Sequence, residues 1–254
     1  ERNGYTVIKN VFSKNECSLA KKKIDVIYKN QIKEFGSEKK LELINEKNIV
    51  RSLFAYDNFF LKFLDKKIQS EILKKIFGKK FILNLQNSPI MQPKSKQYSA
   101  AWHRDLSYQH FVSSRPLAIS MVISLDKSTK ENGATFVLPH SHKFELFPSK
   151  EYIKKYEKQI TINAGDILIF DSLLYHRSGA NFSSKKRKII VNMFTLPFIK
   201  QQINFVKFLN GKFSNLKRYS YLLGYDSEVQ DSVLQWRKRR LNRFNKSSVK
   251  LWKY

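Results

Sequence analysis

The chain has 254 residues, of which 42% are hydrophobic and 14% aromatic, and it carries a net charge of +27. This composition excludes a disordered chain and is sufficient for one sizeable core, so we expect a single domain over residues 1–254. No apolar run reaches the about 20 residues that a membrane span needs, and the first residues lack the pattern of a secretory signal, which predicts a cytoplasmic protein.

The excess of basic residues points to an anionic partner. The chain contains 48 Lys+Arg against 21 Asp+Glu. Such a charge attracts nucleic acid, anionic membrane surfaces and phosphorylated substrates. A solvated, lysine-rich surface would produce the same count, and this alternative stays open.

Helices are predicted for the first part of the chain, over about 13–78. A short strand over 4–12 precedes them, and Ser13-Lys14-Asn15-Glu16 then matches the capping box that starts a helix. The only cysteine, Cys17, lies at this helix start and predicts a small buried side chain without a disulfide. Apolar residues at helical spacing predict a second helical region over 57–77.

After residue 80 the hydrophobic period changes to that of strands. Many short strands after a helical region predict a β-barrel or sandwich, over about 80–198, with helices on one side. Residues 199–254 lose the alternation and predict a basic C-terminal extension. The β-prone segments are 81–87, 117–125, 134–138, 158–162, 167–174 and 188–196.

His103 and Asp105 are the first candidates for chemistry because they stand two residues apart. On a strand, residues at this spacing point to the same face and can bind one metal ion. A facial iron(II) site needs a third ligand, usually a distant histidine. His176 follows the apolar run 166–174, and we expect that strand to deliver it at its end.

A second pair of histidines competes with this set. His140 and His142 form a second pair at the same spacing, but they follow Pro139 in a predicted turn and have no carboxylate at a suitable spacing. We assign them a surface or supporting role. His110, five residues after Asp105, is expected near the mouth of the site.

Arg187 lies eleven residues after His176, where a basic turn runs into a strand. The planar guanidinium suits a carboxylate through two charge-assisted hydrogen bonds, as an oxygenase that uses 2-oxoglutarate would require. The alternative is that Arg187 belongs to a solvated basic turn with its lysine neighbours.

Together these segments resemble the phytanoyl-CoA dioxygenase family of iron(II)/2-oxoglutarate oxygenases. The family often carries glycine where this chain has His140, and its members differ widely in the residues that contact substrate. The segments that carry the resemblance are Gly4–Ile8 with Val11-Phe12-Ser13, His103-Arg104-Asp105-Leu106-x-Tyr108, Glu131–Lys143, Gly165-Asp166, His176-Arg177-Ser178-Gly179-x-Asn181 and Arg187.

The resemblance implies a mainly β fold with flanking helices around a double-stranded β-helix (jelly-roll, cupin-like) core. It also implies iron(II) bound by His103, Asp105 and His176, and 2-oxoglutarate held by Arg187 with help from Ser178. Dioxygen would be the second cosubstrate. The expected reaction is hydroxylation of a C–H bond, with the metal performing the difficult step.

We expect the substrate to be an anionic small molecule or a lipid or glycan intermediate, and an anionic membrane surface is a further expected partner. If the segment after Trp236 is helical, Arg239, Arg240 and Arg243 share its face. Two alternatives stay open. An oxygenase acting on nucleic acid is favoured by the charge but fits the motifs less well, and a binding module of the same fold would lack turnover.

Overall fold

Two antiparallel sheets form the centre of the computed structural model, which describes residues 2–95, 101–106 and 111–246. The larger sheet has the strand order β1-β7-β4-β9-β3-β2, and the smaller has the order β6-β5-β8. The strands are β1 Tyr5–Ile8, β2 Ile49–Arg51, β3 Ile82–Met91, β4 Ala118–Ser124, β5 Phe136–Val137, β6 Lys158–Gln159, β7 Ile167–Asp171, β8 His176–Arg177 and β9 Arg187–Thr195.

Helices flank the sheets, most of them before β3 or after β9. The α-helices are α1 Lys14–Phe35, α2 Glu38–Leu43, α3 Leu53–Tyr56, α4 Lys67–Phe77, α5 Lys150–Tyr156, α6 Phe205–Leu209, α7 Lys217–Leu222 and α8 Val233–Lys246. Short 3-10 helices span Asn58–Phe63 and Ser141–Lys143. No helix among the described residues combines the length and the apolar character that crossing a membrane requires.

Strand β4 shows why the predicted apolar runs are continuous. Its residues are buried along the whole strand. Ile119, Met121 and Ile123 belong to the core between the large sheet and the helices, whereas Val122 belongs to the core between the two sheets. Because both faces of the sheet are covered, the strand needs apolar residues on both faces.

Helix α1 begins at the predicted capping box. Ser13 Oγ accepts from Glu16 N at 3.1 Å, and Glu16 Oε2 accepts from Ser13 N at 2.9 Å. One turn later Cys17 is buried, with its Sγ 3.9 Å from the carbonyl oxygen of Ser124 in β4. Burial raises the pKa of this thiol to about 11. It therefore stays protonated and has a packing role.

The predicted helix over 57–77 is interrupted. A 3-10 helix ends at Phe63, and α4 begins only at Lys67. Lys66, at the N-cap position, has an extended backbone with φ −69° and ψ 149°, which separates the two helices. The apolar spacing of a 3-10 helix followed by an α-helix resembles one continuous helix, so the sequence could not separate them. Strand β2 was also missed, since three residues are too few to show a period.

A close approach between Gly165 and the chain before α1 gives the first testable prediction. Gly165 has φ +91°, its carbonyl accepts from Val11 N and Phe12 N at 3.0 Å, and an added Cβ would lie 2.0 Å from Phe12 O. We expect Gly165→Ala to lower the free energy of unfolding by about 3 kcal/mol, measured by denaturant unfolding.

Gly78→Ala is the matched control for this variant. Gly78 also has a positive φ, of +76°, but an added Cβ there would meet nothing within 4 Å. Backbone strain alone should therefore cost about 1 to 2 kcal/mol, less than strain and the Phe12 contact together at Gly165. Equal losses for the two variants would show that the contact with Phe12 does not constrain the fold.

Candidate active site

The three predicted metal ligands come together although His176 is distant in sequence. The ligand atoms of His103, Asp105 and His176 all lie within 4.8 Å of one another. Asp105 Oδ1 is 3.8 Å from His103 Nε2 and 3.4 Å from His176 Nε2. Two imidazole nitrogens and one carboxylate oxygen in a cluster of this size fit the facial donor set of a non-haem iron(II) site.

Backbone hydrogen bonds, and not a regular strand, position this cluster. His103 N donates to His176 O, and His176 N donates to His103 O, both at 3.0 Å. Asp105 N donates to Ser172 O at 3.0 Å. The expectation that His103 and Asp105 lie on a strand is therefore wrong, because 101–106 makes only one isolated bridge, to His176. That bridge is sufficient to turn both side chains to one side.

His176 is also delivered differently from the prediction. Strand β7 ends at Asp171, a turn follows, and His176 begins β8 in the smaller sheet. The turn is fixed by Asp171 Oδ1, which accepts from Leu173 N at 2.9 Å. The apolar run continues through Leu173 and Leu174 because both are buried, so the sequence did not reveal the end of the strand.

Each histidine ring is oriented by a backbone carbonyl. His103 Nδ1 lies 2.9 Å from Ala101 O, and His176 Nδ1 lies 3.0 Å from Leu174 O. A carbonyl oxygen can only accept, so each Nδ1 carries the proton in these contacts. Nε2 of each ring is therefore the atom available to a metal, as is usual for histidine ligands.

Asp105 is held in its charged form. Burial by itself would raise the pKa of this carboxyl, but the imidazoles of His176 and His103 and the hydroxyl of Ser120 together lower it to about 2. Ser120 Oγ donates to Asp105 Oδ2 and lies 2.8 Å from Ser172 Oγ. The carboxylate is thus ionised and oriented before any metal binds.

The pKa values of the two histidines are shifted in opposite directions. Burial and the neighbouring His176 lower the pKa of His103. Burial also opposes the charged form of His176, but the adjacent Asp105 carboxylate outweighs it and raises the pKa of His176. A metal ion at His176 Nε2 would compete with a proton for the same atom.

The cluster lies on the wall of a cavity of about 770 Å³. Phe170, Val122 and Ile189 from the large sheet line it beside the cluster, and Ser178 and Thr135 line it from the side of the smaller sheet. A cavity of this size accommodates a small organic ligand. The arrangement therefore offers a metal-binding cluster with room for ligands next to it.

Arg187 does not belong to the cavity lining. Its side chain is 1% exposed, and its guanidinium donates to Asn132 O at 2.9 Å, Gly133 O at 2.6 Å and Ser128 Oγ at 3.2 Å. The solvated basic turn is therefore the wrong alternative for this residue. Arg187 lies two residues before Ile189 on β9, so it occupies the cavity side of that strand at its end.

Within the described residues, no carboxylate forms an ion pair with Arg187. Burial lowers the pKa of its guanidinium to about 10, while Asp126 favours the charged form from a distance. A buried cation whose hydrogen-bond partners are uncharged carbonyl and hydroxyl groups would be stabilised by an incoming carboxylate.

Arg104, which lies between two cluster residues, was not singled out from the sequence. Its guanidinium donates to Ser141 O at 2.9 Å and to Phe144 O, and it lies 4.2 Å from the centre of the Tyr175 ring. It thereby ties the 101–106 segment to the turn around Ser141. A buried arginine that binds carbonyls has no distinctive sequence signal.

The second histidine pair is outside the cluster, as predicted. His140 is exposed, with φ +69°, a left-handed backbone that favours glycine. His142 is buried and not on the surface, and its burial beside Lys143 lowers its pKa to about 4. His110 and Tyr108 lie outside the described residues.

The C-terminal arginines lie away from the cavity. The segment is helical, as the prediction required, but Arg239 donates to the carbonyls of Asp226 and Glu228. Arg240 lies 5.3 Å from the centre of the Trp236 ring. The side chain of Arg243 is outside the described part. None of the described α8 residues lines the cavity.

A family model for phytanoyl-CoA dioxygenase (PhyH) matches residues 1–189. The chain belongs to the phytanoyl-CoA dioxygenase family. Membership confirms the predicted dioxygenase class, and the two sheets confirm the predicted β fold with flanking helices. The match ends within β9, so α6, α7 and α8 lie beyond it.

Relatives of this family member include the uncharacterized protein Rv1501 of Mycobacterium tuberculosis. It is 29% identical over 233 residues, which is 89% of this chain and 84% of the relative. The dioxygenase af480 of Aspergillus fumigatus is 26% identical over 144 residues, covering 53% of this chain and 44% of that protein.

Solved structures of other proteins share the fold of this chain. EctD from S. alaskensis, solved with 2-oxoglutarate and 5-hydroxyectoine, superposes with a TM-score of 0.64 at 20% identity, over 77% of this chain and 73% of EctD. HygX from Streptomyces hygroscopicus, solved with nickel and 2-oxoglutarate, gives a TM-score of 0.58 at 15% identity, over 79% and 85% of the two chains. The predicted iron(II) and 2-oxoglutarate agree with the family and with the donor cluster.

Ser120 gives the second prediction because it is the hydroxyl that orients Asp105. We expect Ser120→Ala to weaken iron(II) binding by about 10-fold, within the range typical for groups that orient a metal ligand. Titration with iron(II) under anaerobic conditions measures this.

Ser124→Ala, on the same strand, is the control. Ser124 is equally buried, but its hydroxyl donates to Asp126 O and lies 2.7 Å from Ser128 Oγ, away from the cluster. Iron(II) affinity should be unchanged in this variant. Equal effects in both variants would assign Ser120 a purely structural role.

Proposed function

We propose that this chain is an iron(II)- and 2-oxoglutarate-dependent dioxygenase that hydroxylates a C–H bond, with iron(II) bound by His103, Asp105 and His176. The observation that carries the proposal is the convergence of these three ligand atoms within 4.8 Å on the wall of a cavity. The donor set, two imidazoles and one carboxylate, suits iron(II) and leaves coordination positions for other ligands. Residues 1–254 are proposed to act as one oxygenase domain, since one core cluster extends from Phe12 to Leu223.

When bound, iron(II) and 2-oxoglutarate supply the activation of dioxygen that hydroxylation needs. The protein contributes orientation and shielding. The carbonyls of Ala101 and Leu174 direct the two imidazoles so that Nε2 faces the centre of the cluster. The ionised Asp105 provides the negative charge that a divalent cation requires. Phe170 lies 4.5 Å from the His176 ring and limits the access of water to it.

Arg187 is proposed to bind the distal carboxylate of 2-oxoglutarate, with help from Ser178. Support comes from the buried guanidinium without a carboxylate partner among the described residues, and from the Ser178 hydroxyl on the cavity wall. The guanidinium already donates to Gly133 O and Asn132 O. To bind the carboxylate of 2-oxoglutarate, it must therefore give up a hydrogen bond to one of these carbonyls. The charge on the carboxylate favours this exchange.

The substrate is proposed to be anionic, and charged residues of the cavity give this limited support. Four cations, among them Lys47 and Arg177, line it together with two carboxylates, Glu42 and Asp105. The cations carry partners: Lys47 pairs with Glu42 at 3.1 Å, and Arg177 with Glu157 at 2.9 Å. An anion would therefore share these cations with carboxylates already present.

A peripheral contact with an anionic membrane surface is proposed for α8. Leu234, Trp236 and Leu241 are exposed on this helix, which is also rich in arginine. Aromatic and aliphatic side chains among cations are typical of helices that lie in a membrane interface. Arg239 donates hydrogen bonds to carbonyls of the same chain, so its guanidinium is not available to this surface.

Removal of a proposed metal ligand tests the central proposal. We expect His103→Ala, Asp105→Ala and His176→Ala each to reduce iron-dependent formation of succinate from 2-oxoglutarate to the level of the metal-free protein. The far-UV circular dichroism spectrum should stay unchanged.

His140→Ala serves as the control because His140 is exposed and lies outside the cluster. It should keep the activity of the unaltered chain. A ligand variant with full succinate formation would refute the metal assignment, and an inactive unaltered chain with bound iron(II) would support the silent binding module.

The two arginines near the cavity give a discriminating test for 2-oxoglutarate. Loss of a buried charge partner costs about 3 kcal/mol or more, so Arg187→Met should raise the KM for 2-oxoglutarate by roughly 100-fold. Iron(II) affinity, measured by anaerobic titration, should change little.

Arg177→Met is the matched variant, since Arg177 lines the cavity but already pairs with Glu157. It should leave the KM for 2-oxoglutarate nearly unchanged. The reverse pattern, a large effect of Arg177→Met and none of Arg187→Met, would transfer the cosubstrate site to Arg177.

A further inference from the structure

The cavity changes character between the metal-binding cluster and the opposite edge of the large sheet. Beside the cluster and across the middle of the sheet, the lining is apolar, with Phe170, Val122 and Val191 from three neighbouring strands. At the far edge, where β3 pairs with β2, polar side chains join the apolar Ile49, Leu85 and Pro89 in the lining. A ligand that reaches from the cluster to this edge therefore meets two different surfaces.

Five side-chain amides contribute to this polar edge. They come from four parts of the chain: the turn before β2, β3 itself, the residue after β3 and the segment after β9. Such a concentration is unsuited to an aliphatic chain, because burying an amide without a hydrogen-bond partner costs about 1–3 kcal/mol. The amides are Asn45, Asn48, Asn87, Gln92 and Gln202.

Arg51 organises one half of this edge. Its Nε donates to Glu46 Oε2 at 2.7 Å, and its Nη2 pairs with the other oxygen of the same carboxylate. Its Nη1 donates to Gln202 Oε1 at 3.3 Å. With the Asn87 amide turned so that its oxygen faces Arg51, Nη1 also donates to that oxygen at 2.6 Å. The charge of Arg51 is thus neutralised, and the NH2 group of Gln202 is left as a donor.

Gln92 and Asn48 organise the other half. Gln92 Nε2 donates to Asn48 Oδ1 at 2.7 Å, so the oxygen of Gln92 and the NH2 group of Asn48 are the remaining functional atoms. Among the described residues, neither atom has a hydrogen-bond partner, and the same is true of the NH2 group of Gln202. The edge therefore offers donors and an acceptor side by side.

We propose that this edge, formed by Asn48, Asn87, Gln92, Gln202 and Arg51, binds a hydroxyl-rich part of the substrate, such as a glycosyl or polyol group. A hydroxyl both donates and accepts, which matches side-chain amides. The proposal rests on the proposed function, because the cluster would then act on a carbon at the opposite end of the same ligand. It also disfavours a fatty acyl chain at this edge.

Charge supports a neutral group at this edge over a second anion. Arg51 is paired with Glu46, and Lys47 with Glu42, so the two cations and two carboxylates balance. A negative charge on the substrate would have to lie elsewhere in the molecule. A neutral sugar and its phosphate share the hydroxyl chemistry, and the experiment must separate them.

Ligand-observed NMR on the full chain without iron tests the proposal independently of turnover. The probes are a methyl hexoside, its deoxy analogue, the hexose phosphate, myo-inositol and octanoyl-CoA. We expect saturation transfer to the hexoside or inositol, and weaker transfer to the deoxy analogue. If the hexose phosphate binds more strongly than the methyl hexoside at low salt only, the phosphate adds an electrostatic attraction to the binding of the hydroxyl groups.

Gln202→Leu is the test variant, and Gln230→Leu, at a half-buried position outside the cavity, is the control. Removing one of several hydrogen bonds should weaken hexoside binding by about 10-fold in Gln202→Leu and not in Gln230→Leu. Both variants should retain iron(II) affinity and the KM for 2-oxoglutarate.

Three results would overturn the proposal: no binding of any hydroxylated probe, binding of octanoyl-CoA that improves in Gln202→Leu, or a raised KM for 2-oxoglutarate in that variant. The last result would identify the polar edge as part of the cosubstrate site. Failure of the proposed function is a separate outcome, because it appears as lost iron(II) binding in the unaltered chain.

Discussion

The reciprocal backbone hydrogen bonds between His103 and His176 are the interaction on which the site depends. They join a segment without regular structure to the first residue of β8. A third bond, from Asp105 N to Ser172 O, prevents the segment from rotating about that bridge. Because all three bonds are between backbone atoms, the side chains are left for a metal and for the groups that orient them. Precise placement of a site on such supports is what catalysis requires.

The two faces of the large sheet have different roles. Along β4, residues such as Met121 face the helices, and the alternate positions, including Ser120, face the cavity side. One face therefore packs against the helices, and the other combines apolar packing, as at Val122, with support for the carboxylate of Asp105. A shift of one residue in register would exchange these faces and remove the support of Asp105, so the pairing of β4 with β7 and β9 is a functional constraint as well as a structural one.

The distribution of charge separates a global property of the chain from a local one. A net charge of +27 attracts anions over long distances. At the polar edge of the cavity, however, Arg51 and Lys47 are paired with glutamates. The buried Arg187 forms no ion pair with a carboxylate of the described residues. Long-range attraction and selective binding are thus assigned to different residues, as expected where only the local groups contact a ligand.

The sequence by itself determined the chemistry that is available. The spacing of His103 and Asp105 and the distant His176 predicted a metal site. The motifs around these residues carried the resemblance to the family, and the change from helical to alternating periodicity predicted helices before strands. These features are local or are carried by motifs, so they can be read without knowing which segments are neighbours. The assignment of Ser178 and Arg187 to 2-oxoglutarate remains a prediction.

Only the tertiary structure decided how these residues meet. It showed that 101–106 is not a strand, that β7 ends before His176, and that Ser120 supports Asp105. It also brought Asn48, Asn87 and Gln202 to one edge of the cavity. The physical reason is that apolar runs continue through buried turns such as that at Leu173, and that serine and amide side chains have the same sequence signal on any surface. Their role depends on neighbours that the fold supplies from distant parts of the chain.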